Sequence, residues 1–178
     1  GNIKPHKNLP RLLDALTIVN RSASASLVVI GRMTGLRTVD RDVLAKAEVM
    51  GNRVMFLGEA DDASVRRYVH HAVALVQPST YEGFGLPPLE AMACGTPAIV
   101  SNAASLPEVC GDAALYIDPD SPESIATAML RLLRDAGERE RLIEKGRARS
   151  LEFTWDGTAG RTRDLIARVL GGPTAGAA

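Results

Sequence analysis

Short apolar runs recur along the chain and alternate with stretches whose apolar residues have the spacing of an amphipathic helix. Five runs are β-branched, end in turn residues and are typical of buried parallel strands: residues 26–31, 53–58, 73–79, 97–102 and 114–118. Four stretches between them have helical spacing, with Asn, Asp or Pro near their starts: residues 8–19, 39–50, 61–72 and 86–94. This alternation predicts a doubly wound α/β fold, with a parallel sheet, right-handed crossovers and helices on both faces.

The pattern changes after residue 118, where no further strand is predicted. Two or three helices rich in Arg and Glu run to about Leu170, and Asp120 or Ser121 ahead of Pro122 is a typical helix start. The small residues of 171–178 predict a flexible tail. We therefore predict one domain over residues 1–170 that carries extra helices at its carboxyl end.

The opening residues, GNIKPHKN, have the pattern of a strand exit that runs into a helix, although no strand precedes them. They also lack the charged and then apolar pattern of a signal peptide. We therefore expect the chain to be a piece of a longer protein, with the function belonging to the whole.

Composition narrows the class of protein. The 178 residues suffice for one domain with a full core, and 46% hydrophobic and 24% charged residues are typical of a soluble α/β protein. No apolar run approaches the roughly 18 residues that span a bilayer. Because 21 basic residues balance 21 acidic ones, no overall charge attracts nucleic acid. Cys94 and Cys110 lack metal-ligand spacing, which favours reduced thiols while leaving a disulfide open.

The candidate chemistry lies in STYEGFGLPPLEAMACGTP, residues 79–97, which follows the third predicted strand. In an open parallel sheet, ligands bind outside the carboxyl ends of the strands. Gly83 and Gly85 allow a tight turn and a close approach of the backbone to a ligand. The amides of Phe84, Gly85 and Leu86 would then face that ligand together with the positive end of a helix dipole, which predicts an anion site.

Two carboxylates flank this anion site, Glu82 before the glycines and Glu90 after them. We place Glu90 two or three residues into the helix, about 3–5 Å along its axis. The order suits a nucleotide sugar, with sugar hydroxyls at Glu82, the diphosphate at the amides and the ribose diol at Glu90. Lys7 follows the missing strand, beside Lys4 and His6, and would supply positive charge to a diphosphate leaving group.

The glutamate pair, with seven residues between its members, and the following AMACGTPAIVSNAASLPEVCGDAALYIDP closely resemble the donor-binding half of the retaining group 1 (family four) glycosyltransferases. The opening residues are similar to those of mannosyltransferase-like members, and the resemblance runs from about residue 1 to 156. It implies a Rossmann-like GT-B carboxyl-terminal domain. It also implies that Glu82 contacts the donor sugar, Glu90 the ribose and Lys7 the diphosphate, with Gly83 to Leu86 as the backbone cradle.

Some positions depart from the family pattern or match it less specifically. Many relatives have an arginine five residues before the lysine, where this chain has Asn2. A second diphosphate cation would then come from Lys4, from elsewhere or not at all. Gly31 and Arg32 at one strand exit, and Gly58 with Glu59 at the next, resemble segments that line the nucleotide pocket.

The resemblance implies a hexosyltransferase of polysaccharide biosynthesis that transfers a sugar to an acceptor hydroxyl, with retention and without an essential metal. GDP-mannose is the favoured donor. The acceptor-binding amino-terminal domain would be absent from this chain, so the isolated domain should bind donor but scarcely turn over. We expect a cytoplasmic protein, and peripheral association of the full-length enzyme with the inner face of the membrane stays open.

Two other functions stay open on the residues alone. A glycoside hydrolase could use Glu82 and Glu90 as its carboxylate pair, although a neutral sugar chain would not need the anion cradle. A nucleotide-binding module without chemistry would also explain the cradle.

Asp118 to Asp120 imitates a metal-binding DxD motif, but its position favours a turn and helix cap. His70 and His71 have no ligand partners at metal spacing and are interpreted as structural.

Overall fold

The structure is a computed structural model, which describes residues 4–32 and 41–170. Three of the predicted features therefore lie outside the described residues, namely Asn2, the first two residues of the predicted helix 39–50 and the tail at 171–178.

All five predicted strands are present, each shorter by one to four residues than its apolar run. They are β1 (Leu27–Ile30), β2 (Val54–Gly58), β3 (Leu75–Gln77), β4 (Ala98–Ser101) and β5 (Ala114–Ile117). Every pairing between them is parallel, as predicted. The strands form two hydrogen-bonded sheets, β1-β2 and β3-β4-β5, instead of one continuous sheet.

The helices alternate with the strands and then continue alone, as the sequence pattern predicts. The first five are α1 (Leu9–Val19), α2 (Arg41–Met50), α3 (Asp62–His71), α4 (Leu86–Ala93) and α5 (Leu106–Cys110). The carboxyl-terminal three are α6 (Pro122–Arg134), α7 (Ala136–Leu151) and α8 (Trp155–Val169). Short 3-10 turns precede α1 and follow α2, at Pro5–Lys7 and Gly51–Arg53. Helix α5 was not predicted, because five residues are too few to display a helical period.

Strand β4 shows how helices cover both faces of the sheet. All four of its residues are buried. Ile99 packs into a core with α1, α2 and α6, whereas Ala98 and Val100 belong to a second core with α4 and α5. The first core also receives side chains from β1, β2 and β3, so one hydrophobic layer underlies both sheets. The carboxyl ends of the strands are thereby held at one edge of the domain.

Side-chain caps fix where the carboxyl-terminal helices begin. Ser121 is the N-cap of α6 and accepts a hydrogen bond from the Ser124 amide, which selects Ser121 over Asp120. Asp135 caps α7 and Thr154 caps α8 in the same way. In the described part of the chain, no helix is both long enough and apolar enough to cross a bilayer.

Candidate functional site

Lys7 and Glu82, which are 75 residues apart in sequence, meet at the carboxyl edge of the three-stranded sheet. Lys7 Nζ donates a hydrogen bond of 2.6 Å to Glu82 Oε1. The same oxygen accepts 2.7 Å from the hydroxyl of Ser79, which is buried two residues beyond the end of β3. Glu82 Oε2 accepts no hydrogen bond from a described residue and is not among the buried atoms, so it faces solvent.

The environment of Glu82 favours its charged form. Partial burial by itself raises the pKa of this carboxyl group. The hydrogen bonds from Lys7 and Ser79 and the charge of Lys7 outweigh burial and hold the pKa below its ordinary value. Gln77 adds a weaker effect in the same direction, although its buried Nε2 has no hydrogen-bond partner among the described residues. Glu82 is therefore an ionised acceptor at neutral pH and a poor proton donor.

The segment that carries Lys7 is anchored to two strand ends. Asn8 is buried in the left-handed region, at φ 58°, which Asn tolerates better than most residues. Its Nδ2 donates to the carbonyl of Pro78 at 3.0 Å and to that of Pro119 at 2.6 Å. The Thr80 amide donates to the His6 carbonyl at 2.9 Å. Lys7 is consequently fixed between the loops that follow β3 and β5.

Gly85 sets the shape of the loop between Glu82 and α4. Its φ is 122°, and a Cβ on Gly85 would lie 2.9 Å from Leu106 Cδ2. Among described residues, the amides of Phe84, Gly85 and Leu86 have no hydrogen-bond acceptor. Gly85 itself is buried, whereas Phe84 and Leu86 are exposed. The three amides of the predicted cradle are thus unpaired at the start of a helix, and Gly85 allows the backbone conformation of the loop.

The hydroxyl of Ser105 braces the same loop from behind. Ser105 Oγ lies 3.0 Å from the Glu82 carbonyl and 2.6 Å from the Phe84 carbonyl, and donates to these oxygens. The Phe84 ring is held in an edge-to-face contact with Phe153, with ring centroids 5.8 Å apart. The two carbonyls and the ring are thus engaged in contacts within the domain, whereas the amides between them have no acceptor among the described residues.

Glu90 is exposed on α4, farther from the loop than the sequence suggested. Helix α4 begins at Leu86, with prolines at its second and third positions, where a missing amide costs little. Glu90 is therefore its fifth residue, about 6 Å along the axis, and the placement two or three residues into the helix was wrong. In the described part of the chain no side chain pairs with Glu90, so its carboxylate is available.

A second group of predicted residues lies at the carboxyl end of the β1-β2 sheet. The Gly31 amide donates to the Gly58 carbonyl at 2.8 Å, which joins the two strand exits. Arg32 Nε contacts Glu59 Oε1 at 2.6 Å, and both side chains are exposed. Among the described residues, no hydrogen bond or ion pair links this group to Lys7 or Glu82. The structure therefore assembles two clusters at the strand ends.

The DxD-like segment and the histidines have structural partners. Asp118 Oδ1 accepts from the Asp120 amide at 2.9 Å, which confirms the predicted turn. His70 Nδ1 lies 3.1 Å from the Cys94 carbonyl. Within residues 4–32 and 41–170, no group of three or more His, Cys, Asp or Glu side chains is placed to hold a metal ion. Cys94 and Cys110 are both free, as favoured.

Three residues that hold the site were missed, namely Asn8, Ser79 and Ser105. An Asn directly before a helix that has Pro near its start is a usable signal for Asn8, because Asn tolerates a left-handed backbone. Ser79 and Ser105 give no such signal, because serine is common in loops and its bonding partners depend on the tertiary structure.

Comparison with solved structures identifies the class of fold. The carboxyl-terminal domain of a group 1 glycosyltransferase from Francisella tularensis superposes with a TM-score of 0.75 at 26% identity, over 85% of this chain and 82% of that one. A sucrose-phosphate synthase from Thermosynechococcus elongatus superposes with a TM-score of 0.79 at 27% identity, over 94% of this chain and 43% of that one. The domain has the architecture of one half of a GT-B glycosyltransferase.

Sequence comparison then identifies the family. Residues 1–149 match the family described as glycosyl transferases group 1, and the chain belongs to this family. The O-antigen chain mannosyltransferase B of Escherichia coli is 36% identical over 165 residues, which cover 91% of this chain and 43% of that protein. The serotype-specific mannosyltransferase WbdA of Escherichia coli is 31% identical over 172 residues, which cover 94% of this chain and 21% of that protein. The chain thus spans less than half the length of these relatives.

Proposed function

We propose that this domain, residues 1–170, binds a nucleoside-diphosphate sugar and forms the donor half of a retaining hexosyltransferase. The observation that carries the proposal is the 2.6 Å contact between Lys7 and Glu82 beside unpaired amides. In a nucleotide sugar, the diphosphate is bonded directly to the sugar. A cation that binds the diphosphate and a carboxylate that binds the sugar must therefore lie next to each other. Membership in the group 1 family supports the same substrate class.

Each site residue has a distinct role in this proposal. Lys7 and the amides of Phe84 and Leu86 bind the diphosphate and stabilise the charge that grows as it leaves. Glu82 accepts hydrogen bonds from sugar hydroxyls through its open Oε2, and Glu90 accepts from the ribose diol. Acceptor attack and the retention of anomeric configuration belong to the full-length enzyme, whose acceptor half would precede this domain.

The state of Glu82 argues against a hydrolase in which Glu82 is the general acid of the Glu82 and Glu90 pair. Such an enzyme needs one carboxylic acid that stays protonated long enough to protonate the leaving oxygen. Lys7 and Ser79 instead keep the pKa of Glu82 low. A nucleotide-binding module without chemistry differs from a donor site in its ligand preference. Its affinity for the nucleotide should not depend on whether a sugar is attached.

We favour GDP-mannose as the donor, because of the mannosyltransferase-like opening residues and because relatives such as the Escherichia coli proteins are named as mannosyltransferases. A melting series with GDP, UDP and ADP, each with and without its sugar, tests this proposal. A ligand at 100 times its dissociation constant stabilises the native state by roughly 2.7 kcal/mol, which raises the Tm of a domain of this size by about 5–11 °C.

The largest shift is expected with GDP-mannose. A larger shift with a UDP-sugar would overturn the choice of nucleotide while keeping the substrate class. The absence of a shift with every nucleotide would overturn the donor site itself. Cleavage of glycosidic bonds by the full-length protein without a nucleotide would favour the hydrolase.

A further inference from the structure

Gln77 is the last residue of β3, and its side-chain amide is buried next to the candidate donor site. The residue is only 7% exposed, and its Nε2 atom is buried without a hydrogen-bond partner among the described residues. An unpaired buried amide lowers the stability of the folded state, so native proteins contain few of them. The Gln77 amide therefore has hydrogen-bonding capacity that its contacts with the described residues do not use.

The side chain of Gln77 lies on the same side of the sheet as Glu82. Gln77 is the register partner of Val100, which packs in the core with α4 and α5. Register partners in parallel strands point to the same face, so Gln77 points toward α4, the helix that follows the Glu82 loop. Burial raises the pKa of Glu82, and Gln77 is among the side chains that lower it, after Lys7 and Ser79. The Gln77 amide is thus a neighbour of the carboxylate without being hydrogen-bonded to it.

Lys7 is the partner of Glu82 that a bound donor would draw away. Its ammonium contacts Glu82 Oε1 at 2.6 Å, and its side chain is 32% exposed. In the proposed function this ammonium binds the diphosphate, which carries more negative charge than one carboxylate. Because a lysine ammonium ends a long side chain with several rotatable bonds, it can turn while its backbone stays fixed. Glu82 Oε1 would then keep one donor, the Ser79 hydroxyl.

We propose that Gln77 is a positioning residue that holds Glu82 while Lys7 binds the diphosphate. The Gln77 Nε2 amide then donates to Glu82 Oε1 in place of Lys7, and the Ser79 hydroxyl keeps its bond to the same oxygen. Two donors from the β3 segment thus fix Oε1, and Oε2 is left to accept from the sugar. The inference rests on the proposed function for its ligand, but the contact between Gln77 and Glu82 is testable without a ligand.

Ser101 provides a matched control at the end of the neighbouring strand. Its hydroxyl is also buried without a hydrogen-bond partner among the described residues. Ser101 lies two residues beyond Ile99, on the face that packs against α1, α2 and α6. It is therefore on the opposite face of the sheet from Gln77. Gln77→Met and Ser101→Ala each remove an unpaired buried polar group, but only the first removes a neighbour of Glu82.

The first experiment uses the 178-residue chain without a ligand. Gln77→Met and Ser101→Ala are made in the unmodified chain and in Lys7→Met, and calorimetry gives the Tm of each. In the unmodified chain both changes should alter the Tm by less than about 2 °C. In Lys7→Met, where the Gln77 amide replaces the lysine as a donor to Glu82, Gln77→Met should lower the Tm by at least about 3 °C. Ser101→Ala should again have little effect. An equal effect of Gln77→Met in both backgrounds would overturn the proposal.

The second experiment keeps Lys7 and adds the ligand. Titration calorimetry compares the nucleotide sugar that gives the largest shift in the melting series, expected to be GDP-mannose, with its nucleotide alone. Gln77→Met should weaken the nucleotide sugar about threefold to tenfold and leave the nucleotide unchanged, whereas Ser101→Ala should change neither.

An equal loss of both ligands in Gln77→Met, or no loss of either, would overturn the positioning role. An unmodified chain that binds no nucleotide would overturn the donor site and with it the role toward the sugar. The Tm comparison in Lys7→Met decides the contact between Gln77 and Glu82 independently of that result.

Discussion

Two well-shielded carboxylates, Glu82 and Glu138, are held in different ways. Glu138 joins α6 to α7 by contacts of 2.6 Å to Arg131 and 2.7 Å to Arg141, and both of its oxygens are occupied. Glu82 is held through one oxygen only, by Lys7 and Ser79. The pKa of each carboxyl group is lowered. At Glu138 the main cause is the hydrogen bond from Arg141. At Glu82 burial raises the pKa, and the hydrogen bonds from Lys7 and Ser79 outweigh it.

The difference separates a structural ion pair from a binding group. Both oxygens of Glu138 are engaged by arginines, and these partners are on packed helices. Glu82 lies on a loop and is bonded through Oε1 only, so its Oε2 keeps hydrogen-bonding capacity. A charged side chain with unused hydrogen-bonding capacity at a strand edge is therefore better evidence for a binding site than a lowered pKa, which both carboxylates have.

The largest effect should come from the loop that holds Glu82. Gly85→Ala puts a Cβ 2.9 Å from fully buried Leu106 and requires a left-handed conformation of alanine. We expect a loss of about 3 kcal/mol and no donor-dependent rise in Tm. Gly83→Ala is the matched control, since a Cβ there meets no atom within 4 Å, and should change stability by less than about 0.5 kcal/mol. Equal stability of the two variants in thermal unfolding would contradict the role of Gly85.

Glu138→Gln should cost stability without affecting the donor site. It weakens two ion pairs whose arginines are about half exposed, so we expect a loss of about 1–2 kcal/mol. The rise in Tm caused by GDP-mannose should match that of the unmodified chain. A donor shift that shrinks along with stability would indicate that the two carboxylates are coupled.

The free energy of unfolding should fall in acid, because both carboxylates have a lowered pKa in the folded state. Because each folded pKa lies below the value of 4.5 expected for an unfolded glutamate, the unfolded state binds more protons as the pH falls past that value. The stabilisation is complete above about pH 5 and declines through about pH 4 and below. Denaturant unfolding from pH 7 to 3 should show a shallower loss in Glu138→Gln and in Glu82→Gln than in the unmodified chain. Parallel curves for all three would contradict the lowered pKa values.

Ser79→Ala should have the smallest effect. It removes one of the two hydrogen bonds to Glu82 Oε1 and leaves Lys7 in place. We therefore expect the free energy of unfolding to fall by about 1 kcal/mol. The affinity for GDP should be unchanged by calorimetric titration, while the affinity for GDP-mannose falls about threefold to tenfold. Equal losses for both ligands would assign Ser79 to the loop instead of to Glu82.

The sequence predicted the strands well because buried parallel strands are continuous apolar runs, as in Ala98–Ser101. It also predicted that Lys7 and Glu82 share an edge, since strand exits in a parallel sheet converge. It misplaced Glu90 by about two residues, because Gly85 ends the loop earlier than the prolines suggest. The contacts of Asn8, Ser79 and Ser105 depend on chain segments up to 111 residues away, which no local pattern encodes.

The most direct test of the donor site is the affinity difference between GDP-mannose and GDP, measured by titration calorimetry on the unmodified chain, Glu82→Gln and Glu90→Ala. We expect the unmodified chain to bind GDP-mannose more tightly than GDP. Glu82→Gln should abolish that difference while retaining GDP binding, and Glu90→Ala should weaken both ligands by the same factor. If Glu82→Gln keeps the preference for the sugar, or if the two variants lose both ligands equally, the assigned division between sugar and ribose is contradicted.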